Sequence, residues 1–392
     1  MDGLIPQSVY VKKLRSHLPK EAFEPEPSKL HLLIINLLIL GVGWGIGAQL
    51  QHWPTQWLWL YLPFALVMAN SVVVLAFASH DLMHGSVTRN HKLAYWLSLI
   101  SQTILWMPPT LWKIIHNRIH HNNTNLPEDL DRNYYFDQPN TLGRRLQALL
   151  FPSSEVALPW LVIGMMTLWG FYALRSILSA LVWGGQAGAL APAMFRVSTK
   201  ERWAIARELA FMVALHLGVL AWLSFNPLQI ALAYVLPISL GYAGMIAYIY
   251  TNHLVSPVTE INDPLANSLS LKVPKLVDLL HINFSYHAEH HIFPGLNSDY
   301  YPMVRELLRQ HYSDRMGYIV NAGDAWKMLL STPRYYLNAV TLTDKKGQQQ
   351  IPCHLIDCLD IGSMDGGNRE EEVPQGTKPL VPNFFAKTTG NL

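Results

Sequence analysis

Apolar positions in this chain gather into long unbroken runs, with neither the alternation of a half-buried strand nor the three-to-four spacing of a soluble helix. A helix needs about 20 predominantly apolar residues, with a range of roughly 17–25, to cross a bilayer. Residues 30–50 and 57–77 meet that length, and residues 209–225 and 228–250 form a second such pair. These runs predict an all-α integral membrane protein with four transmembrane helices arranged as two hairpins. Two further apolar stretches, 93–112 and 156–174, are ambiguous. The first 29 residues are polar and hold Lys12, Lys13, Arg15, Lys20 and Lys29. The first apolar run is too long for the hydrophobic region of a cleavable signal peptide, so none is expected. Residues 342–392 lack any long apolar run and are expected to form a polar, disordered tail.

Eight of the seventeen histidines fall in three clusters beside these runs: His80-Asp-Leu-Met-His84, His116-Asn-Arg-Ile-His120-His121 and His287-Ala-Glu-His290-His291. Imidazole is the commonest metal-binding side chain. The rest of the composition changes the picture little. Half of the 392 residues are hydrophobic and 14% are charged, against about 25% charged in a soluble domain. The net charge of +2 offers no basic field for nucleic acid. The two cysteines, Cys353 and Cys358, both lie in the tail, which excludes a disulfide framework and reads as free thiols.

The clusters constrain topology if they share one site. The chain between any two of them must then cross the membrane an even number of times. Only 31 residues separate His84 from His116, fewer than the roughly 40 that two crossings require. Residues 93–112 are therefore expected not to span, and Pro108-Pro109 breaks a helix there. Between His121 and His287 the simplest even number is two, which leaves 156–174 in the interface or against protein. The N-terminal cations and the loop from Arg196 to Arg207 fall on the histidine side, while loops 51–56 and 226–227 carry no Lys or Arg. By the positive-inside rule both termini and the histidine face are cytoplasmic, with a helical cap holding the metal site.

Spacing predicts how the imidazoles divide. His80 and His84, four apart, share one face of a helix that extends from the second span. His116 and His120 are also four apart, and His121 points about 100° away, so this cluster can serve two metals. His287 and His290 repeat the arrangement at i, i+3, with His291 diverging. Eight imidazoles exceed what one metal with an open position can use, and suit two. Ligand type alone leaves iron, copper or zinc. Asp81 and Glu289, inside the clusters, are candidates to orient the ligand rings. The polar run Asn125, Glu128, Asp129, Asp131 and Arg132 reads as loop, with Asp131 a candidate imidazole partner. His216, inside a predicted span, and His281, before the third cluster, read as structural.

The stretch Asn283-Phe-Ser-Tyr-His-Ala-Glu-His-His-Ile-Phe-Pro294-Gly resembles the third histidine box of acyl-lipid desaturases, and Trp112-Lys-Ile-Ile-His-Asn-Arg-Ile-His-His-Asn-Asn-Thr-Asn125 resembles the second. Three boxes in this order around paired membrane helices are similar to the integral-membrane fatty acid desaturase family over residues 30–324. The resemblance implies two iron ions as cofactor, O2 as co-substrate, a lipid-linked acyl substrate, and ferredoxin or cytochrome b5 as electron donor. It also implies a ninth ligand, His253, which ends the run Ala247-Tyr-Ile-Tyr-Thr-Asn-His253, and a metal-bound water held by Asn252 or Asn283. The family's acyl-CoA enzymes carry an asparagine four residues before that histidine, where this chain has Ile249. Neither a cytochrome b5 signature nor a Rossmann glycine fingerprint is present, so electrons are expected from a separate protein. Two other readings stay open: a carotenoid or sphingolipid hydroxylase or ketolase of the same superfamily, and a membrane metal-binding or transport protein without catalysis.

Overall fold

The computed structural model describes residues 3–129, 135–136, 141–184 and 195–354. It is mostly helical. An N-terminal helix α1 (Gln7–Leu14) precedes the long helices α2 (Lys29–Gly47) and α3 (Leu62–His84). Helix α4 (His91–Thr103) and the short α5 (Pro109–Trp112) lead into a π-helix, Lys113–His120. Then come α6 (Thr141–Leu150), α7 (Leu158–Leu181) and α8 (Thr199–Trp222). A turn, α9 (Pro227–Gln229), and a second π-helical stretch, Ile230–Val235, open α10 (Leu236–His253). Shorter helices follow as α11 (Pro264–Asn267), α12 (Lys275–Leu280), α13 (His287–Ile292), α14 (Tyr301–His311) and α15 (Ala322–Ser331). Five segments are long and apolar enough to cross a membrane: Lys29–His52, Thr55–His84, Leu158–Leu181, Thr199–Trp222 and Pro227–His253. Three of them contain the expected spans 30–50, 57–77 and 228–250; a fourth, Thr199–Trp222, covers most of the expected 209–225 but ends three residues short of it. The fifth, α7, extends the 156–174 stretch that the parity argument keeps out of the membrane, and its 24 residues qualify by length and composition.

Helix α3 is the central strut, buried on every face from Ser71 to Met83. Small residues let its neighbours approach, as interfaces between membrane helices require. On α2, Gly43 lies against Met68, and the Tyr61 hydroxyl donates to the Gly43 carbonyl (2.8 Å). On α10, Gly241 sits against Val72 and the Ala69 carbonyl, and Gly244 against Val73. This packing holds the cluster-bearing ends of α3 and α10 side by side.

Residues 93–112 do not form a spanning helix. Helix α4 has 13 residues, with Asn90 as its cap accepting from the Leu93 N–H (3.1 Å). The chain then turns back through Trp106, whose φ is 52°. Backbone at such a turn needs internal partners, because hydrocarbon supplies none. His216 Nε2 bonds the Thr103 carbonyl (2.9 Å), Tyr242 donates to Ile104 O (2.8 Å) and Trp169 to Leu105 O (2.8 Å). His216 is thus a structural residue, as expected.

The tail expectation needs correction. Residues 342–354 are folded: β3 (Tyr335–Asn338), β4 (Thr341–Thr343) and β5 (Gln350–Pro352) pair antiparallel in that order. Leu342 and Cys353 are buried with Tyr336 and Val258 in a small apolar cluster. Single buried positions separated by polar ones leave no apolar run to read. Residues 355–392, including Cys358, lie outside the described residues. A second small sheet pairs β1 (Ser270–Lys272) with β2 (Ile319–Asn321) in parallel.

Candidate metal centre

Helix α3 ends at Gly85, whose φ of 83° stops it one residue after His84. The second cluster rides on the π-helix, and α5, which leads into it, is seated by Glu208: its carboxylate accepts from the Thr110 N–H (3.0 Å) and hydroxyl (2.6 Å). The third cluster is α13, fully buried. Helix α10 brings His253 to the same place.

Nine histidines converge there in two groups. His80, His84, His116, His121 and His290 form one; His120, His253, His287 and His291 form the other. Within each group the ligand atoms lie within 4.8 Å of one another. The groups touch, with the His121 and His291 rings 4.6 Å apart. Every position anticipated as a ligand is present, but the division differs from the expected one. His116 shares a group with His121, not with His120. A π-helix widens the turn to i→i+5, and the His121 N–H bonds the His116 carbonyl (3.0 Å). His120 therefore points into the other group. In α13, His287 pairs with His291 at i, i+4, their Nε2 atoms 3.1 Å apart, and His290 diverges.

The ring hydrogen bonds prepare the facing nitrogens for a cation. Carboxylate and carbonyl oxygens only accept, so Nδ1 carries the proton on His80 toward Asp81 (3.3 Å), on His120 toward Asp129 (3.1 Å) and on His253 toward the Asn267 carbonyl (2.9 Å). His291 Nδ1 donates to Thr124 Oγ (3.2 Å), whose own proton goes to the His120 carbonyl, and His290 Nδ1 pairs with the Tyr301 hydroxyl (2.9 Å). The Nε2 lone pairs then face inward. His80 Nε2 stands 3.1 Å from His116 Nε2, and His253 Nε2 stands 2.7 Å from His287 Nε2. Lone pairs that close repel unless a proton or a cation lies between them. His84 Nε2, His121 Nδ1 and His287 Nδ1 are buried with no hydrogen-bond partner among the described residues. Burial, reinforced by neighbouring imidazoles, holds His116, His121, His287, His290 and His291 well below the usual histidine pKa, and so neutral. Neutral nitrogen in two closed sets is the donor chemistry of a two-metal site.

The surrounding residues divide. Asp81 reaches His80 as expected, and is itself held by Ser298 (3.0 Å) and by Lys29 (3.6 Å). Glu289 touches no imidazole: it accepts from Ser270 (2.6 Å), Arg305 (2.6 Å) and Tyr318 (3.1 Å), tying α13 to β1, α14 and the segment before β2. Asn283 donates to the Ser298 carbonyl (3.1 Å). Asn252 is buried with an unpartnered Oδ1 and lines the cavity beside the site. Asp129 is the imidazole partner that the polar run concealed; Asp131 lies outside the described residues. His281 joins neither group, bonding Tyr248 (2.8 Å) and Asn70 (3.2 Å).

A largely apolar cavity of about 210 Å³ opens from the histidines. His80, His116, His120, His253 and His287 line it together with Phe77, Leu105, Trp112, Leu146, Leu168 and Phe284. Trp112 stacks on His116 at 4.3 Å and closes one side.

Comparison with known proteins agrees with this geometry. A family model described as fatty acid desaturase matches residues 31–321. A relative, the sn-1 acyl-lipid omega-3 desaturase (ferredoxin) of Nostoc sp. (strain 36), is 29% identical over 147 residues, which cover 35% of this chain and 39% of that protein. The shared segment is thus well under half of either chain, whereas the family model takes in four of the five long apolar helices entirely, nearly all of the first, and all three histidine boxes. On that match the chain belongs to the fatty acid desaturase family, a family of oxidoreductases.

Proposed function

We propose that this protein desaturates a long acyl chain carried on a membrane lipid, using O2, two irons and electrons from a ferredoxin-like donor. The observation that carries the reading is the convergence of nine histidines, as five and four, at the head of an apolar cavity. His80, His84, His116, His121 and His290 would hold one iron, and His120, His253, His287 and His291 the other. Bound irons would supply dioxygen activation and the two-electron oxidation that leaves a double bond. The protein's own residues do the rest. Asp81, Asp129, Thr124 and the Asn267 carbonyl keep the Nδ1 protons and so fix which nitrogen faces inward. Phe77, Leu105, Trp112 and Phe284 exclude water and hold an unactivated chain by shape, since its methylenes offer no polar handle. The ferredoxin in the Nostoc relative's name supports a donor of that class.

The proposed topology is four spans with the metal site and both termini cytoplasmic. Two contacts support keeping α7 out of the count. Ser154, just before it, bonds the Thr332 carbonyl of the cap (3.2 Å). Gly184, just after it, packs on Arg202 in the first turn of α8, where Glu201 pairs with Arg118 of the second box (2.8 Å).

Product analysis tests the function. Lipids of cells expressing the protein should gain an acyl double bond absent from controls. A new hydroxyl or ketone with unchanged acyl unsaturation would contradict it.

A further inference from the structure

The cavity carries one charge that the desaturase reading leaves unused. Arg175, in the C-terminal third of α7, lines it together with Tyr172, Gly143, Gln147 and Tyr250. Its side chain is half-buried. Among the described residues no carboxylate, carbonyl or hydroxyl makes a hydrogen bond or ion pair with it; it lies over the ring of Tyr172, 5.1 Å from the guanidinium carbon to the centroid, and within electrostatic reach of Tyr250. Other arginines at comparable or greater depth each have an oxygen partner. Arg305 has Glu289, Arg315 has Asp263, and Arg334 has the Pro152, Pro333 and Leu329 carbonyls. A guanidinium facing an apolar cavity without an acceptor is costly, because it carries five donors and a charge that cannot be shed.

We propose that Arg175 is a specificity-determining residue that binds an anionic oxygen group, carboxylate or phosphate, at the head of the acyl substrate. The inference deepens the desaturase reading and rests on it. Besides Gln102 of α4 and Asn252 and Tyr250 of α10, the lining carries two sets of polar residues on different elements. The histidines stand on α3, the π-helix, α10 and α13; Arg175, Tyr172 and Gln147 stand on α6 and α7. An acyl lipid has the same division, an oxygen-bearing head and a methylene chain. Phe171, 43% exposed on the neighbouring position of α7, marks the side on which this part of the cavity meets the surroundings. A head group entering there would meet the guanidinium while its chain runs on among Leu146, Leu168 and Phe77 toward the histidines. The planar fork of arginine matches carboxylate or phosphate bidentately, and a methyl ester cannot supply the anion. The chemistry fits a free fatty acid or an acidic phospholipid, and disfavours a neutral glycolipid.

Displacement of a fluorescent fatty-acyl probe from the iron-loaded, full-length protein tests the proposal without requiring turnover. Stearate, stearoyl lysophosphatidate and methyl stearate are compared on wild type, Arg175→Gln and Arg175→Lys. On wild type at least one acid should displace the probe at a concentration about tenfold or more below that of the methyl ester, as a charge-assisted pair predicts. Which acid does so separates carboxylate from phosphate. Arg175→Gln should bring the acids to the level of the ester with iron content unchanged, and Arg175→Lys should restore part of the preference. Equal displacement by all three compounds on wild type, or an acid preference that survives Arg175→Gln, overturns it. The desaturase reading fails by a different result: wild type that prefers the acids yet leaves no double bond in any lipid.

Discussion

Asp129 shows how much of the site lies in single polar residues outside the boxes. Its carboxylate holds the His120 Nδ1 proton and also accepts from the Asn125 N–H (2.9 Å), so it fixes both the ring and the loop that follows it. Asp129→Ala should therefore weaken iron binding roughly 10–100-fold, as loss of a ligand's outer partner does elsewhere. Iron titration of the purified variant checks this, and unchanged affinity would remove Asp129 from the site. The box histidines were legible because their spacing is dense and lies beside apolar runs. Asp129 was not, because an aspartate among Asn125, Glu128 and Asp131 carries no mark that separates a ring partner from loop solvation. Glu289 misled for the complementary reason. It sits between two box histidines, yet its carboxylate turns away to Arg305 and Tyr318.

At the scale of elements, the division of ligands depends on backbone that a regular period does not describe. The π-helical turn places His116 with His121 and sends His120 to the other group. Spacing arithmetic based on 3.6 residues per turn pairs the wrong two. The helices that carry the clusters were legible from their apolar runs, but their close approach was not, because it depends on glycines that look unremarkable in such runs. A Cβ at Gly241 would stand 2.5 Å from Val72 Cβ and 2.9 Å from the Ala69 carbonyl, a backbone atom that cannot turn aside. Gly241→Ala should cost about 1–3 kcal/mol through overpacking of α3 against α10. It should also separate His80 from His253, so a melting curve and an iron assay should fall together. A variant that keeps both would show that this contact does not position the site.

For the whole molecule, the four-span account makes a claim about sides. Single cysteines replacing Ser154, Gly184 and Lys200 should be labelled by an impermeant reagent from one side of sealed vesicles, and one replacing Asn226 from the other. Labelling of Ser154→Cys and Gly184→Cys from opposite sides would mean that α7 crosses. Acidity should act on the metal-free protein in one direction. Five site imidazoles have folded pKa values well below the unfolded value of about 6.5. Below about pH 6.5 the unfolded chain takes up protons that the folded chain refuses, so stability falls as pH falls and is level above that point. Thermal melts of apo protein from pH 8 to pH 5 read this slope; a rise in stability toward acid would contradict the neutral, buried cluster. The central claim is that the nine histidines form two metal sites, one of five ligands and one of four. Iron counting on the purified full-length protein, wild type and His291→Ala, tests it most directly. The account predicts two irons per chain in wild type and selective loss of one in His291→Ala, with the five-histidine site still loaded. A single iron in wild type, or two retained after His291→Ala, would contradict it.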